Sequence, residues 1–329
     1  MENTTPPTIL NHGDFEISPE TKEKIKNTVL NLPKDESWLT PYHLYQGFWT
    51  IPHFLEGDIL AHHFFKAEPT DIFICSVPKS GTTWLKALTF AIVSRTHFNT
   101  NSSPLLQKVP HDCVPFLPDF ATNFDIREPG LPLISTHVPY TCLPKSALEL
   151  DSNCKIVYIC REPKDAFISL YHFIAKRRDK ELSLDKALDQ FCQGNSLYGP
   201  YWDHVLGFWK ASQDKPGKVF FLKYEEMMKD TAFYVKKLAE FMDCPFSPEE
   251  EKQGRVQEIM ELCSFESLKT LEVNKSGIWQ PSLARVENNT FFRKGKIGDW
   301  KNWLTPDMAE RLDKIMDEKL SGSGLTFHI

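Results

Sequence analysis

Val77-Pro78-Lys79-Ser80-Gly81-Thr82-Thr83-Trp84 brings a lysine, three hydroxyls and a glycine together within eight residues. At the mouth of a helix such a loop offers unpaired backbone N–H donors, close backbone approach at Gly81 and a cation, which together make a cradle for a phosphate-like anion. It is not the G-x-x-x-x-G-K-[ST] loop of ATP- and GTP-binding proteins, because no earlier glycine precedes it and Lys79 comes before Gly81. The plain alternative is local: Ser80 and Thr82 cap a helix and bind nothing. Arg161 and Ser169, eight residues apart, sit at a strand end and two turns into the next helix, where both can face one anion. Arg293-Lys294-Gly295-Lys296 is a second cationic run, of a kind that is usually a solvated surface loop. His137, one of 11 histidines, follows a short strand, and an imidazole with an unperturbed pKa near 6.5 suits general-base work at neutral pH.

The elements that must position these residues are legible from periodicity. Residues 71–77 form an apolar run of strand length, and 82–95 follow with Trp84, Leu85, Leu88 and Ile92 at helical spacing. Residues 154–160 repeat the pattern, with Pro163 opening a helix that runs toward Arg178. A short strand over 132–136 precedes His137. A further strand over 218–224 leads into one helix from about 225 to 242. Apolar strands alternating with helices predict an α/β fold: a central parallel sheet flanked by helices, with a P-loop-like strand-loop-helix for phosphate. Ligands in such folds sit beyond the carboxyl ends of the strands, where Lys79, Arg161 and Tyr224 all fall. With no repeat and no Gly/Ser-rich linker, the chain reads as one domain over 36–329 behind a loosely packed arm over 1–35.

Composition bounds the function. The chain has 329 residues, 41% of them hydrophobic, which excludes overall disorder, and a net charge of −6, which argues against a nucleic-acid or membrane partner. No apolar run approaches the roughly 18 residues of a membrane span. The first ten residues lack the basic and apolar regions of a secretory signal, so a cytoplasmic location is expected. Eight cysteines without a C-x-x-C pair read as reduced thiols, with no metal site.

Taken together, the motifs resemble a known family. Pro78-Lys79-Ser80-Gly81-Thr82-Thr83-Trp84 is similar to the 5′-phosphosulfate loop of the soluble sulfotransferases that use 3′-phosphoadenylyl sulfate. Tyr158 to Asp165 with Ser169 resembles the family's 3′-phosphate segment, and Phe292 to Trp300 resembles its C-terminal cofactor motif. Cys192-Gln193-Gly194, Gly199-Pro200-Tyr201-Trp202 and Leu271 to Ser276 are most like the plant branch.

The resemblance implies that Lys79 reaches the bridging oxygen between sulfur and the 5′-phosphate while Ser80, Gly81, Thr82 and Thr83 hold that phosphate. It implies that Arg161, Ser169, Arg293, Lys294 and Gly295 hold the 3′-phosphate, that Trp84, Tyr224 and Phe265 contact the adenine, and that Ser264 also binds the cofactor. His137 would be the catalytic base, with no metal needed and adenosine 3′,5′-bisphosphate released. Phe116 and Phe173 match acceptor-pocket positions of relatives. Two departures stand out: Ser135 where many animal members carry a lysine, and Cys263 where some carry a threonine. Lys301, Thr305 and Glu310 resemble the dimerisation motif of animal members, but Pro306 replaces its valine, which leaves a monomer or a weak homodimer.

Two other readings compete. A P-loop kinase or NTPase requires magnesium and an acidic metal ligand, yet Asp214-Lys215-Pro216-Gly217 precedes its strand and Asn274-Lys275-Ser276-Gly277 lacks the guanine-reading aspartate. A non-catalytic nucleotide-binding protein would not need His137 beside Lys79. The expected acceptor is a hydroxylated small molecule, a plant secondary metabolite or hormone: a flavonoid, a hydroxyjasmonate, or a steroid-like or strigolactone-type compound.

Overall fold

Four apolar strands organise the chain, the first three almost wholly buried and the last partly so: β1 (Ile72–Ser76), β2 (Leu133–Thr136), β3 (Lys155–Cys160) and β4 (Val219–Lys223). The computed structural model describes residues 17–327 except 39, 125, 150, 177–181 and 281–284. All four strands are parallel, in the order β2-β1-β3-β4, with Ile72 opposite both Leu133 and Lys155 and Ile156 opposite Val219. Alternate side chains enter two cores. Phe73, Cys75, Ile156 and Tyr158 pack on one face; Ile72, Ile74, Val157 and Ile159 pack on the other. Continuous apolar runs are what a sheet covered on both faces requires.

Helices Pro163–Ala175, Tyr201–Asp214 and Pro306–Leu320 cover the first face through Phe167, Phe208 and Leu312. Helices Thr82–Ser94 and Thr231–Phe241 cover the second through Leu85, Leu88, Val235 and Leu238. The chain leaves β1 to build β2 on one side and then returns across it to build β3 on the other. At such a switch point the loops after the strands diverge and leave a crevice at their carboxyl ends.

Two expectations need correction. Residues 17–35 are not a loose arm: Pro19–Leu30 is a helix capped by Ser18, Ile17 and Val29 are buried, and Lys34–Asp35 pairs with Tyr42–Tyr45. Burial of Val29 against Leu55 and Ile59 provides the packing that the polar sequence concealed. The single helix over 225–242 is two helices, Tyr224–Lys229 and Thr231–Phe241. Asp230 leaves helical geometry (φ −140°, ψ 71°) and its carboxylate accepts the Phe233 N–H at 3.1 Å, ending one helix to cap the next. The helix from Pro163 is described to Ala175; its expected end at Arg178 lies outside the described residues. Pro306 is the first residue of a helix whose cap, Thr305, accepts the Met308 N–H, so the proline fits its place there.

Candidate active site

The loop after β1 turns into the Thr82–Ser94 helix through two left-handed residues, Lys79 (φ 72°) and Gly81 (φ 110°). A lysine in that region costs about 1–3 kcal/mol, a strain typical of functional loops. A Cβ on Gly81 would lie 2.9 Å from the Tyr224 ring, so the position demands glycine twice over. The helix cap is Gly81 itself, with no side-chain cap. Ser80 and Thr82 therefore do not serve as caps: Ser80 Oγ is buried with no partner, and Thr82 Oγ1 pairs with Ser76 Oγ at 2.6 Å. Lys79 reaches over the loop, donating to the Thr290 carbonyl at 3.3 Å with its ammonium 4.4 Å from the centre of the Phe173 ring. Unpaired helix N–H groups, an orphaned hydroxyl and this ammonium suit an anion with several acceptor oxygens.

Arg161 leaves the end of β3 and is buried, with its guanidinium 4.6 Å from the Tyr224 ring centre. Its Nη2 donates to the Lys296 carbonyl at 2.6 Å and lies 3.4 Å from Asp165 Oδ2, while its Nε is buried without a partner. Asp165, on the helix opened by Pro163, accepts the N–H groups of Gly298 at 2.7 Å and Trp300 at 3.0 Å. This ties the C-terminal segment to the helix that follows β3 and brings Arg293, Lys294 and Gly295 toward Arg161 from more than 130 positions away. Arg293 pairs with Asp299 and leaves its own Nε buried and unpartnered. Gly295 (φ +62°) lies so close to Phe265 that a Cβ would come within 2.5 Å of the ring. Two buried guanidinium N–H groups without partners, on residues that line one cavity, suit the oxygens of a phosphate. Trp84 and Tyr224 stand edge to face, 5.5 Å apart, beside it. The Ser264 hydroxyl is engaged locally, accepting the Ser267 N–H at 3.1 Å as a helix cap and donating to the Ser267 hydroxyl.

His137 begins where β2 ends, half-buried between the rings of Phe116 and Tyr198, each 5.7 Å away. Its Nδ1 lies 2.8 Å from the Ser76 carbonyl, which can only accept, so Nδ1 carries the proton and Nε2 keeps its lone pair. The same logic runs behind it: His204 Nε2 donates to the His137 carbonyl at 2.9 Å, leaving His204 Nδ1 to accept the Tyr158 hydroxyl at 3.0 Å. Burial, opposed by the Ser76 carbonyl and aided by the charges of Lys86, His204 and Lys79, pushes the His137 pKa down to about 3. Held well below the ordinary 6.5, the imidazole is neutral across the physiological range. An anion bound at Lys79 would raise it, since opposite charge favours the protonated form.

The predicted catalytic, cofactor and acceptor residues all line one cavity of about 510 Å3, apart from Ser80, which is buried beneath it. Within it Arg161 and Trp84 lie against Tyr224 and Gly295 against Phe265, while Phe116 lies against His137 and Phe173 against the Lys79 ammonium; Ser169 lines it as well. Cys263 also lines it, its thiol pushed well up by burial. Sequence reasoning missed Lys86 and His111. Lys86 is fully buried on the Thr82–Ser94 helix, 5.7 Å from the Phe116 ring centre, and burial lowers its pKa to about 7. A lysine within the apolar face Leu85 to Ala91 was the available signal. The Ser135 hydroxyl is occupied by the Pro115 carbonyl at 2.7 Å, so the cation near His137 comes from that helix and not from β2. Among the described residues no cluster of metal-ligating side chains is found, and no helix is long and apolar enough to cross a membrane.

Comparison with known proteins gives consistent matches. The family model described as "Sulfotransferase domain" matches residues 69–324. Flavonol 3-sulfotransferase of Flaveria bidentis is 52% identical over 287 residues, covering 85% of this chain and 91% of that protein. Cytosolic sulfotransferase 17 of Arabidopsis thaliana is 46% identical over 328 residues, covering 95% and 94%. Among solved structures, an Arabidopsis thaliana putative steroid sulphotransferase superposes with a TM-score of 0.72 at 36% identity, over 98% of this chain and all of that one. A mouse sulfotransferase complexed with PAP gives 0.65 at 27% identity, over 86% and 95%.

Proposed function

The chain belongs to the sulfotransferase domain family, and on that premise we propose that it moves a sulfuryl group from 3′-phosphoadenylyl sulfate to the hydroxyl of a small, flat phenolic acceptor. The observation that carries the donor assignment is a pair of orphan sets at one cavity: Ser80 Oγ, just beneath its lining, with the loop N–H groups at one anion position, and the Nε atoms of Arg161 and Arg293, both of which line it, at another. Two separated phosphate cradles with aromatic rings between them fit a nucleotide phosphorylated at both the 3′ and 5′ positions. When bound, that donor supplies an activated sulfuryl group.

His137 Nε2, with its lone pair fixed by the Ser76 carbonyl, takes the acceptor's hydroxyl proton as the oxygen bonds to sulfur. Lys79 neutralises the charge that collects on the 5′-phosphate oxygen as its bond to sulfur breaks. The products are the sulfate ester and adenosine 3′,5′-bisphosphate. For the acceptor, Phe116 meets Phe54 and Trp279 edge-on at 5.4 and 5.8 Å, Trp279 meets Phe291 at 5.8 Å, and Phe116 itself lies against His137. Such walls suit an aromatic polyol over a flexible hydroxyjasmonate or a saturated steroid-like or strigolactone-type ring system. The flavonol-directed names of relatives agree. The names of the Arabidopsis relatives also support a cytosolic location.

The test is thermal. With EDTA present, adenosine 3′,5′-bisphosphate at about a hundred times its Kd should stabilise by about 2.7 kcal/mol, roughly 4 °C for a chain of this size, and Arg161→Ala should remove most of the shift. Stabilisation that appears only with ATP and magnesium would overturn the donor assignment. A panel of flavonoids, hydroxyjasmonates and steroid-like alcohols assayed with labelled donor decides the acceptor, and turnover confined to non-aromatic alcohols would refute the phenolic choice.

A further inference from the structure

Behind the phosphate loop runs a buried chain of polar groups that the reaction as drawn does not use. Thr83 Oγ1 lies 3.0 Å from His111 Nε2, and His111 Nδ1 lies 3.1 Å from Lys86 Nζ. The imidazole cannot swing away, because it stacks on Phe291 at 4.0 Å and packs against Trp279 at 4.9 Å. His111 and Lys86 are both buried, and both border the same cavity that Thr83 faces.

Proton counting gives this chain a direction. An ammonium has donors and no acceptor, so Lys86 must donate and His111 Nδ1 must accept. The single proton of the neutral imidazole then sits on Nε2 and is given to Thr83 Oγ1. Thr83, accepting on that side, has its own hydroxyl proton left to turn toward the loop. Without the cation the order can reverse: Nδ1 donates, Nε2 accepts the Thr83 O–H, and the loop faces a lone pair where it needs a donor. Negative charge placed at the loop favours the ammonium form and so the productive order.

We infer that Lys86 and His111 are positioning residues that fix the Thr83 hydroxyl as a hydrogen-bond donor to the 5′-phosphate group of the sulfuryl donor. The inference rests on the donor assignment above. It makes the acceptor-side wall and the donor loop parts of one polar network, since Lys86 and His111 also pack on Phe116, Trp279 and Phe291.

The experiment is a double-mutant cycle read as calorimetric Kd for adenosine 3′,5′-bisphosphate at pH 7, a binding measurement that needs no acceptor. Thr83→Val and His111→Phe, the latter keeping the stacked ring, should each weaken binding about tenfold, the value of one hydrogen bond to a charged group. The double variant should be no weaker than Thr83→Val alone, because His111 acts only through that hydroxyl. Losses that multiply to about a hundredfold would overturn the inference, as would unchanged affinity in His111→Phe. Lys86→Met, of similar length, repeats the cycle should His111→Phe fail to fold, with the same two outcomes deciding. If the wild-type chain itself fails to bind the bisphosphate, the donor assignment falls, and that result is distinct from either outcome of the cycle.

Discussion

Asp165→Asn tests how the distant 293–300 segment is held to the sheet. The wild-type carboxylate is fully buried and makes three contacts: Oδ2 to the Gly298 N–H at 2.7 Å, Oδ1 to the Trp300 N–H at 3.0 Å, and Oδ2 to Arg161 Nη2 at 3.4 Å. An asparagine has nearly the same shape but one acceptor oxygen, so it can satisfy one of the two N–H groups and must aim its own NH2 at the other. A hydrogen bond to a charged group contributes about 1.5–3 kcal/mol, and a buried donor left without an acceptor costs about 1–3 kcal/mol. Removing one partner of a buried ion pair costs about 3–5 kcal/mol, a figure that overlaps the first two because the same oxygen serves both. Arg161 keeps the Lys296 carbonyl, which limits the damage. The expected loss is about 3–5 kcal/mol by urea denaturation with an unchanged m-value. It should come with at least about a tenfold weaker Kd for adenosine 3′,5′-bisphosphate, since Arg293 and Gly295 ride on the freed segment. A variant within 1 kcal/mol of wild type that binds the bisphosphate normally would refute the claim that this carboxylate clamps the segment.

Other perturbations follow from the same geometry. His137→Ala should lower kcat by about 100- to 10,000-fold while bisphosphate affinity stays within about threefold; full turnover would place the base elsewhere. Gly295→Ala should destabilise by about 1–3 kcal/mol and weaken bisphosphate binding, because it forces a side chain into left-handed backbone and against Phe265; normal stability and binding would show that the turn yields freely. Asp58 is buried against the Tyr198 hydroxyl at 2.9 Å, and burial lifts its pKa to about 8 from 3.8. A raised folded pKa gives stability that is complete below pH 3.8 and lost as pH rises toward 8, so Asp58→Asn should gain on wild type by up to about 4 kcal/mol between pH 5 and pH 8. An advantage that does not grow over that range in thermal melts would contradict it. His137 and His204, held near 3 and 4 by burial, have the opposite sign: their contribution is present above pH 6.5 and lost as pH falls toward 4. In an Asp58→Asn background, which removes the opposing carboxyl, melting temperature should therefore drop on acidification, and a flat profile from pH 7 to pH 4.5 would count against their burial as neutral imidazoles.

By itself the sequence determined the four strands of the central sheet, the two cavity-lining loops that follow β1 and β3, and the cationic run at 293–295. Each of these is a local pattern: an apolar stretch too short for a helix, Gly81 in a hydroxyl-rich turn, Pro163 opening a helix. Local signals fail where partners are distant. The break at Asp230 and the packing of residues 17–35 turn on a single dihedral pair and on burial of Val29, neither of which periodicity registers. Only the tertiary structure decided that His137 is a neutral imidazole with its proton on Nδ1, because that depends on the Ser76 carbonyl 61 positions earlier and on burial that no spacing reveals. It also decided that Lys86 lies inward, joined to His111 and Thr83, since a lysine on a helix has two faces to choose from and only packing selects between them. Periodicity identifies what a segment can bury; charge state and proton direction depend on what the rest of the chain then places beside it.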